Sequence, residues 1–177
     1  MKMLKKLLAV VLTGAMALTL FTACGSNAVR DKDIADALTD MAKAEGTNVT
    51  FTPRAKEREM AQKVAALLES HSEDDSNSAE LSAKIQGILG IDQGGVNENN
   101  FVWVQNALTD KLGAEGQAFQ VMESLTDKGG AYNFSSLGSK EPADTRYMGT
   151  ALCKIPDQKD NLVTVRVIVV TAKAEDE

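Results

Sequence analysis

The segment LVTVRVIVVTA, Leu162–Ala172, constrains the fold more than any other part of the chain. Val163, Val165, Val167 and Val169 project to one side of an extended strand, and Leu162, Ile168 and Val170 make the other side largely apolar too. A strand with one wet face alternates apolar and polar residues, and this one does not. It belongs inside a sheet covered on both faces, as between two helical layers. YMGTALCKI, Tyr147–Ile155, is rich in strand-forming residues, and the six-residue PDQKDN linker joins it to the last strand as an antiparallel hairpin.

The covering helices are legible upstream. DKDIADALTDMAKAEG places Ile34, Leu38 and Met41 on one face, with Asp31 and Asp33 at the positive end of the helix dipole and Gly46 as a stop. NVTFT is a short strand signal, after which Thr52-Pro53 reads as a cap and first position of a helix running to about Ser70, with Met60, Val64, Leu67 and Leu68 inward. Its charged face, Arg54, Lys56, Glu57, Arg58, Glu59 and Lys63, reads as a solvated charge run. Ser78 caps a third helix carrying Leu81, Ile85, Ile88 and Leu89 up to Gly90, and FVWVQ, Phe101–Gln105, is a short strand. A fourth helix spans about Gly116 to Lys128 through Ala118, Phe119, Met122 and Leu125, and AYNFSSLGSKEPADTR, Ala131–Arg146, reads as a long polar connection. These elements predict an α+β fold, an α/β/α sandwich of about four helices on a small, mainly antiparallel sheet ending in a C-terminal hairpin. ALTDMAKAEG at 37–46 and ALTDKLGAEG at 107–116 share seven of ten residues, but their flanks differ and the match reads as chance.

The first residues specify an address. Lys2, Lys5 and Lys6 precede an apolar run from Leu7 to Phe21, which closes in Thr-Ala-Cys-Gly-Ser, the three-part pattern of an export signal. LFTAC resembles a bacterial lipoprotein box, which implies a signal peptide over 1–23, lipidation of Cys24 and a tether over 24–30, ahead of one domain over 31–173 and an acidic tail over 174–177. The alternative is an ordinary secreted chain in which Cys24 is a free thiol. Loss of the three lysines takes a formal net charge of −6 to −9, and no basic cluster offsets it, so nucleic acid is excluded as a partner. With Cys24 modified, Cys153 is left alone, and no internal disulfide is available.

Few residues suggest chemistry. His71, the sole histidine, ends the second helix, where its cationic form suits the dipole, or else it borders a site. Cys153 reads as a small buried strand residue, the alternative being a nucleophile with His71 as base. Tyr132, Phe134 and Tyr147 either line a groove under the 131–146 segment or plug the core.

Several motifs occur in an ordered series. VTFTPRAKEREMAQKVAALLESHS leads from Val49 and Phe51 to His71, Asn97-Glu98-Asn99 precedes FVWVQ, VMESLTD carries Ser124 and Asp127, and YMGTALC contains Tyr147, Gly149 and Ala151. In this order they resemble the CAP superfamily, the SCP-like extracellular domains, over most of residues 32–172. Asn97 stands in place of that family's motif glycine, Val121 in place of its tryptophan and Asp127 in place of its second histidine. The resemblance implies a cleft bordered by His71, Glu98, Asn99 and Asp127, with Glu123 as another oxygen donor. One imidazole with one or two carboxylates is a poor zinc set, so no metal or other cofactor is expected. The expected function is that of a membrane-anchored, extracytoplasmic, non-catalytic binding module for a lipid, cell-wall fragment or protein. The alternatives are a metal-dependent or hydrolase-like enzyme using His71, Glu98 and Asp127, and an accessory subunit of an envelope complex.

Overall fold

The strand from Leu162 to Asp176 lies inside a four-stranded sheet, with helices on both of its faces. The computed structural model describes residues 29–70, 78–91, 100–109, 112–126, 140–157 and 161–176. In chain order these form α1 (Asp31–Ala44), β1 (Thr50–Pro53), α2 (Ala55–Ser70), α3 (Ser78–Leu89), β2 (Asn100–Leu108), α4 (Ala114–Thr126), β3 (Lys140–Pro156) and β4 (Leu162–Asp176). The sheet order is β1-β3-β4-β2, antiparallel except where the short β1 runs parallel to β3. The α/β/α sandwich and its terminal hairpin are as the apolar pattern of β4 requires.

Register assigns each side chain to a layer. Gly149, Ala151 and Cys153 of β3 share a face with Val169, Val167 and Val165 of β4, and α2 covers it with Ala61, Val64 and Ala65. α3 leans on α2. The opposite face carries Met148 and Thr150, then Arg166, Ile168 and Val170, then Trp103 and Ala107, under α1 and α4. The inward residues Ile34 and Leu38 of α1 and Ala118 and Val121 of α4 are buried in that layer.

Four expectations are revised. Pro53 ends β1, paired with Met148, instead of opening α2; β1 is an edge strand, where the missing N–H costs no ladder bond. The supposedly solvated charge run of α2 is partly buried, and Glu57 is completely so, because α2 begins one residue after Arg54 and its first turn is drawn onto the sheet. Residues 140–146 are strand, not connection: Lys140–Pro142 pair with Ala174–Asp176, which removes most of the expected tail as well. A register shift between Pro142 and Arg146 marks where this polar extension joins the covered part of the sheet. The shared decapeptide folds in two ways, helical through Ala37–Ala44 but strand at Ala107 and Leu108 and helix from Ala114, so it is no structural repeat.

Candidate functional site

Two polar clusters, built around the buried Glu57 and the buried Arg166, act as ties between elements. On the α2 side, Glu57 accepts hydrogen bonds from the Arg54 guanidinium through both carboxylate oxygens and from Thr171 Oγ1 at 2.7 Å, while Arg54 lies 3.9 Å over the Tyr147 ring. Tyr147 is thus occupied as a platform for Arg54. On the other face, Arg166 donates to Gln117 Oε1 at 2.8 Å, Thr150 Oγ1 at 2.9 Å and the Val29 carbonyl at 2.9 Å. Thr150 in turn donates to Asp31, whose second oxygen accepts from Arg58 at 2.7 Å. This chain pins the start of α1 to β3, β4, α4 and, around the free edge of β3, to α2. Networks of this kind set register.

A third cluster has unpaired donors. Arg146 of β3 sits opposite Ala172 of β4 and Phe51 of β1, on the α1/α4 side of the sheet. Its guanidinium carbon is 5.4 Å from the Trp103 ring centre and 5.8 Å from that of Phe51. Phe101, two residues before Trp103 on the same face, stacks on the indole at 5.8 Å and 15°. Trp103 is only 8% exposed, yet its Nε1 has no hydrogen-bond partner, and Arg146 Nε is likewise buried without one. Burial pulls the Arg146 guanidinium below its usual value, and the charge of Asp144 offsets part of that effect. Buried donors are almost always paired, so two unpartnered donors in one aromatic setting single this cluster out as the candidate site.

The expected site residues Cys24, His71, Glu98, Asn99 and Asp127 lie outside the described residues, as do Tyr132 and Phe134. Their described neighbours are placed. α2 ends at Ser70 near the hairpin loop, where Glu69 accepts a hydrogen bond from Lys154 N at 2.9 Å. β2 starts at Asn100, paired with Lys173, at the opposite end of the sheet, nine positions along β4 from the Thr164 that pairs with Lys154, or about 30 Å. α4 reaches Thr126 after starting beside Arg166, with Gln117 in its first turn. Glu123 of α4 is exposed.

Cys153 is 1% exposed, and burial, helped by the negative charge of Glu69, pushes its thiol up to about 11. In a Cys24→Ser chain, where Cys153 is the sole thiol, only about one molecule in 10⁴ carries the thiolate at pH 7, so a disulfide reagent should react slowly with folded protein and rapidly in denaturant. Equal rates in the two states would refute its burial.

Arg146 and Trp103 escaped the sequence reading. Trp103 carried a weak signal as the only tryptophan, sharing a strand face with Phe101. Arg146 carried none, because EPADTR has no alternation and only the register of β3 brings its side chain between aromatic rings. Comparison with protein-family models, curated proteins and solved structures returned no match.

Proposed function

We propose that the chain is an extracytoplasmic lipoprotein, held at a membrane by a lipid on Cys24, whose CAP-like domain binds a ligand without transforming it. The basic and apolar leader ending in LFTAC supports the anchor. The element order, helix, short strand, two helices, strand, helix and hairpin, is compatible with the CAP-like reading, as is helical cover on both faces of the sheet.

The observation that carries the binding reading is the pair of orphan donors on Arg146 and Trp103. A guanidinium keeps its proton throughout the physiological range and an indole nitrogen is a donor only. Such groups hold an acceptor and orient it; general acid or base work needs a group that titrates near working pH. The ligand is a lipid, a cell-wall fragment or a surface protein bearing an acceptor group, and the acidity of the chain argues against nucleic acid.

In a bacterial host fed an alkyne-tagged palmitate, the wild-type chain should be labelled and should sediment with membranes, and Cys24→Ser should abolish both. Label retained by Cys24→Ser would remove the anchor. A hydrolytic activity of the purified chain that disappears with His71→Ala would overturn the non-catalytic reading.

A further inference from the structure

Arg146 differs from every other described arginine. Arg30, Arg54, Arg58 and Arg166 each donate to a carboxylate or to a set of neutral acceptors. Arg146 is more enclosed than Arg30, Arg54 or Arg58, has two rings about its guanidinium, and keeps a buried Nε–H without a partner. A buried donor left unmet opposes folding, so a purely structural brace gains nothing from the Arg146 Nε–H.

We infer that Arg146 and Trp103 form a binding site for the carboxylate of a small organic acid, an inference that rests on the binding-module reading and names its ligand class. The free Nε–H lies on the side edge of the guanidinium, the edge that takes a carboxylate in two parallel hydrogen bonds. Trp103, whose ring centre lies 5.4 Å from the Arg146 guanidinium carbon, carries the second unpartnered donor, Nε1. The aromatic rings of Phe51 and Trp103 exclude water and so strengthen the pairing.

Charge selects among anions. The Asp144 carboxylate already offsets part of the Arg146 charge, so each further negative charge adds to an excess, and a monoanion is penalised less than a phosphate dianion. Carboxylate is the preferred occupant on that ground.

The chain contains one tryptophan, so its indole N–H gives a single nitrogen-correlated proton resonance and its fluorescence reports one position. The full chain in detergent, in carboxylate-free buffer, is titrated with butyrate, with the neutral isostere butyramide, and with inorganic phosphate. Butyrate should shift the indole resonance and the emission saturably, and butyramide should need about tenfold higher concentration, since charge-assisted hydrogen bonds are about twice as strong as neutral ones. Arg146→Met should lose the butyrate response while leaving the urea midpoint unchanged or raised, and Arg146→Lys should retain part of the response. Arg166→Met, which removes a paired guanidinium, should lower the midpoint.

A saturable response to phosphate with none to butyrate would overturn the carboxylate assignment and leave the binding reading standing. Silence of the indole resonance to all three probes would overturn both. A lowered midpoint in Arg146→Met with an unchanged butyrate response would make Arg146 a structural brace and end the proposal.

Discussion

Gly149→Ala should unfold the domain or cost it roughly 3 kcal/mol or more, at the upper end for an overpacked site. A methyl group on Gly149 would stand 2.0 Å from the backbone nitrogen of Arg58 and 2.4 Å from the Arg58 Cα and the Glu57 carbonyl carbon. Those atoms are main chain of α2, so no side-chain rotation relieves the clash. The helix would have to lift from β3, drawing Glu57 from its partners and exposing Ala61 and Val64. The closeness has a topological cause: β1 ends opposite Met148, Arg54 donates its N–H to the Met148 carbonyl at 2.8 Å, and α2 starts at the next residue. Its first turn has nowhere to go but over Gly149. The same substitution at Gly87, inside α3 with nothing within 4 Å, should instead stabilise by up to about 1 kcal/mol through helix propensity. Urea unfolding of both variants measures the contrast, and a Gly149→Ala midpoint within error of wild type would mean that α2 does not lie where described.

Arg54→Ala should cost about 3 kcal/mol at pH 7, the lower end for stranding a buried charge, because Arg54 is 40% exposed and its removal opens a path for water. Glu57→Gln should cost less, since the freed guanidinium can turn to solvent while the new side-chain amide keeps an acceptor for Thr171. The pH dependence separates the two states of Glu57. In the wild type, burial pushes the carboxyl up, but the hydrogen bonds from Arg54 and Thr171 outweigh it and hold the group below its ordinary value of 4.5. That depressed value contributes stability above about pH 4.5, lost as pH falls through the folded value. In Arg54→Ala burial, the largest influence, is opposed only by the hydrogen bonds from Thr171 and from the Glu57 backbone N–H, so the folded carboxyl should titrate above its unfolded value, which favours the neutral form. The variant therefore recovers relative to wild type as pH drops from 7 toward 4. Chemical denaturation across that range should show the gap narrowing; a gap that stays constant would mean Glu57 is not the group responsible.

The fold was legible where burial demands a pattern. β4 is apolar on both faces, so it had to be interior, and the helical spacing of Ile34, Leu38, Val64 and Leu89 had to turn inward. What the pattern missed are the charged residues that the fold buries. Glu57 sits in a run of charges that looks solvated, and nothing local distinguishes it from Glu59, which is paired with Lys63 at the surface. The difference is that Glu57 projects toward the sheet at the point where Gly149 admits the helix, a fact about two segments separated by ninety-odd positions in the chain. Arg166 interrupts an apolar strand and could be taken as a flaw in the pattern until Gln117, Thr150 and the Val29 carbonyl are brought to its nitrogens.

The candidate site divides along the same line. Local composition suffices for the leader, the acidic balance and the lone histidine, since each is a property of one short stretch. Arg146 and Trp103 meet only because β3 and β2 flank β4 in a defined register, which is a product of long-range pairing. Periodicity reports which way a side chain faces, and so the sequence alone determined the layers, the hairpin and the class of fold. Which charges in those layers found partners, and which two donors did not, depends on contacts between strands and helices distant in the chain, and only the tertiary structure decided it.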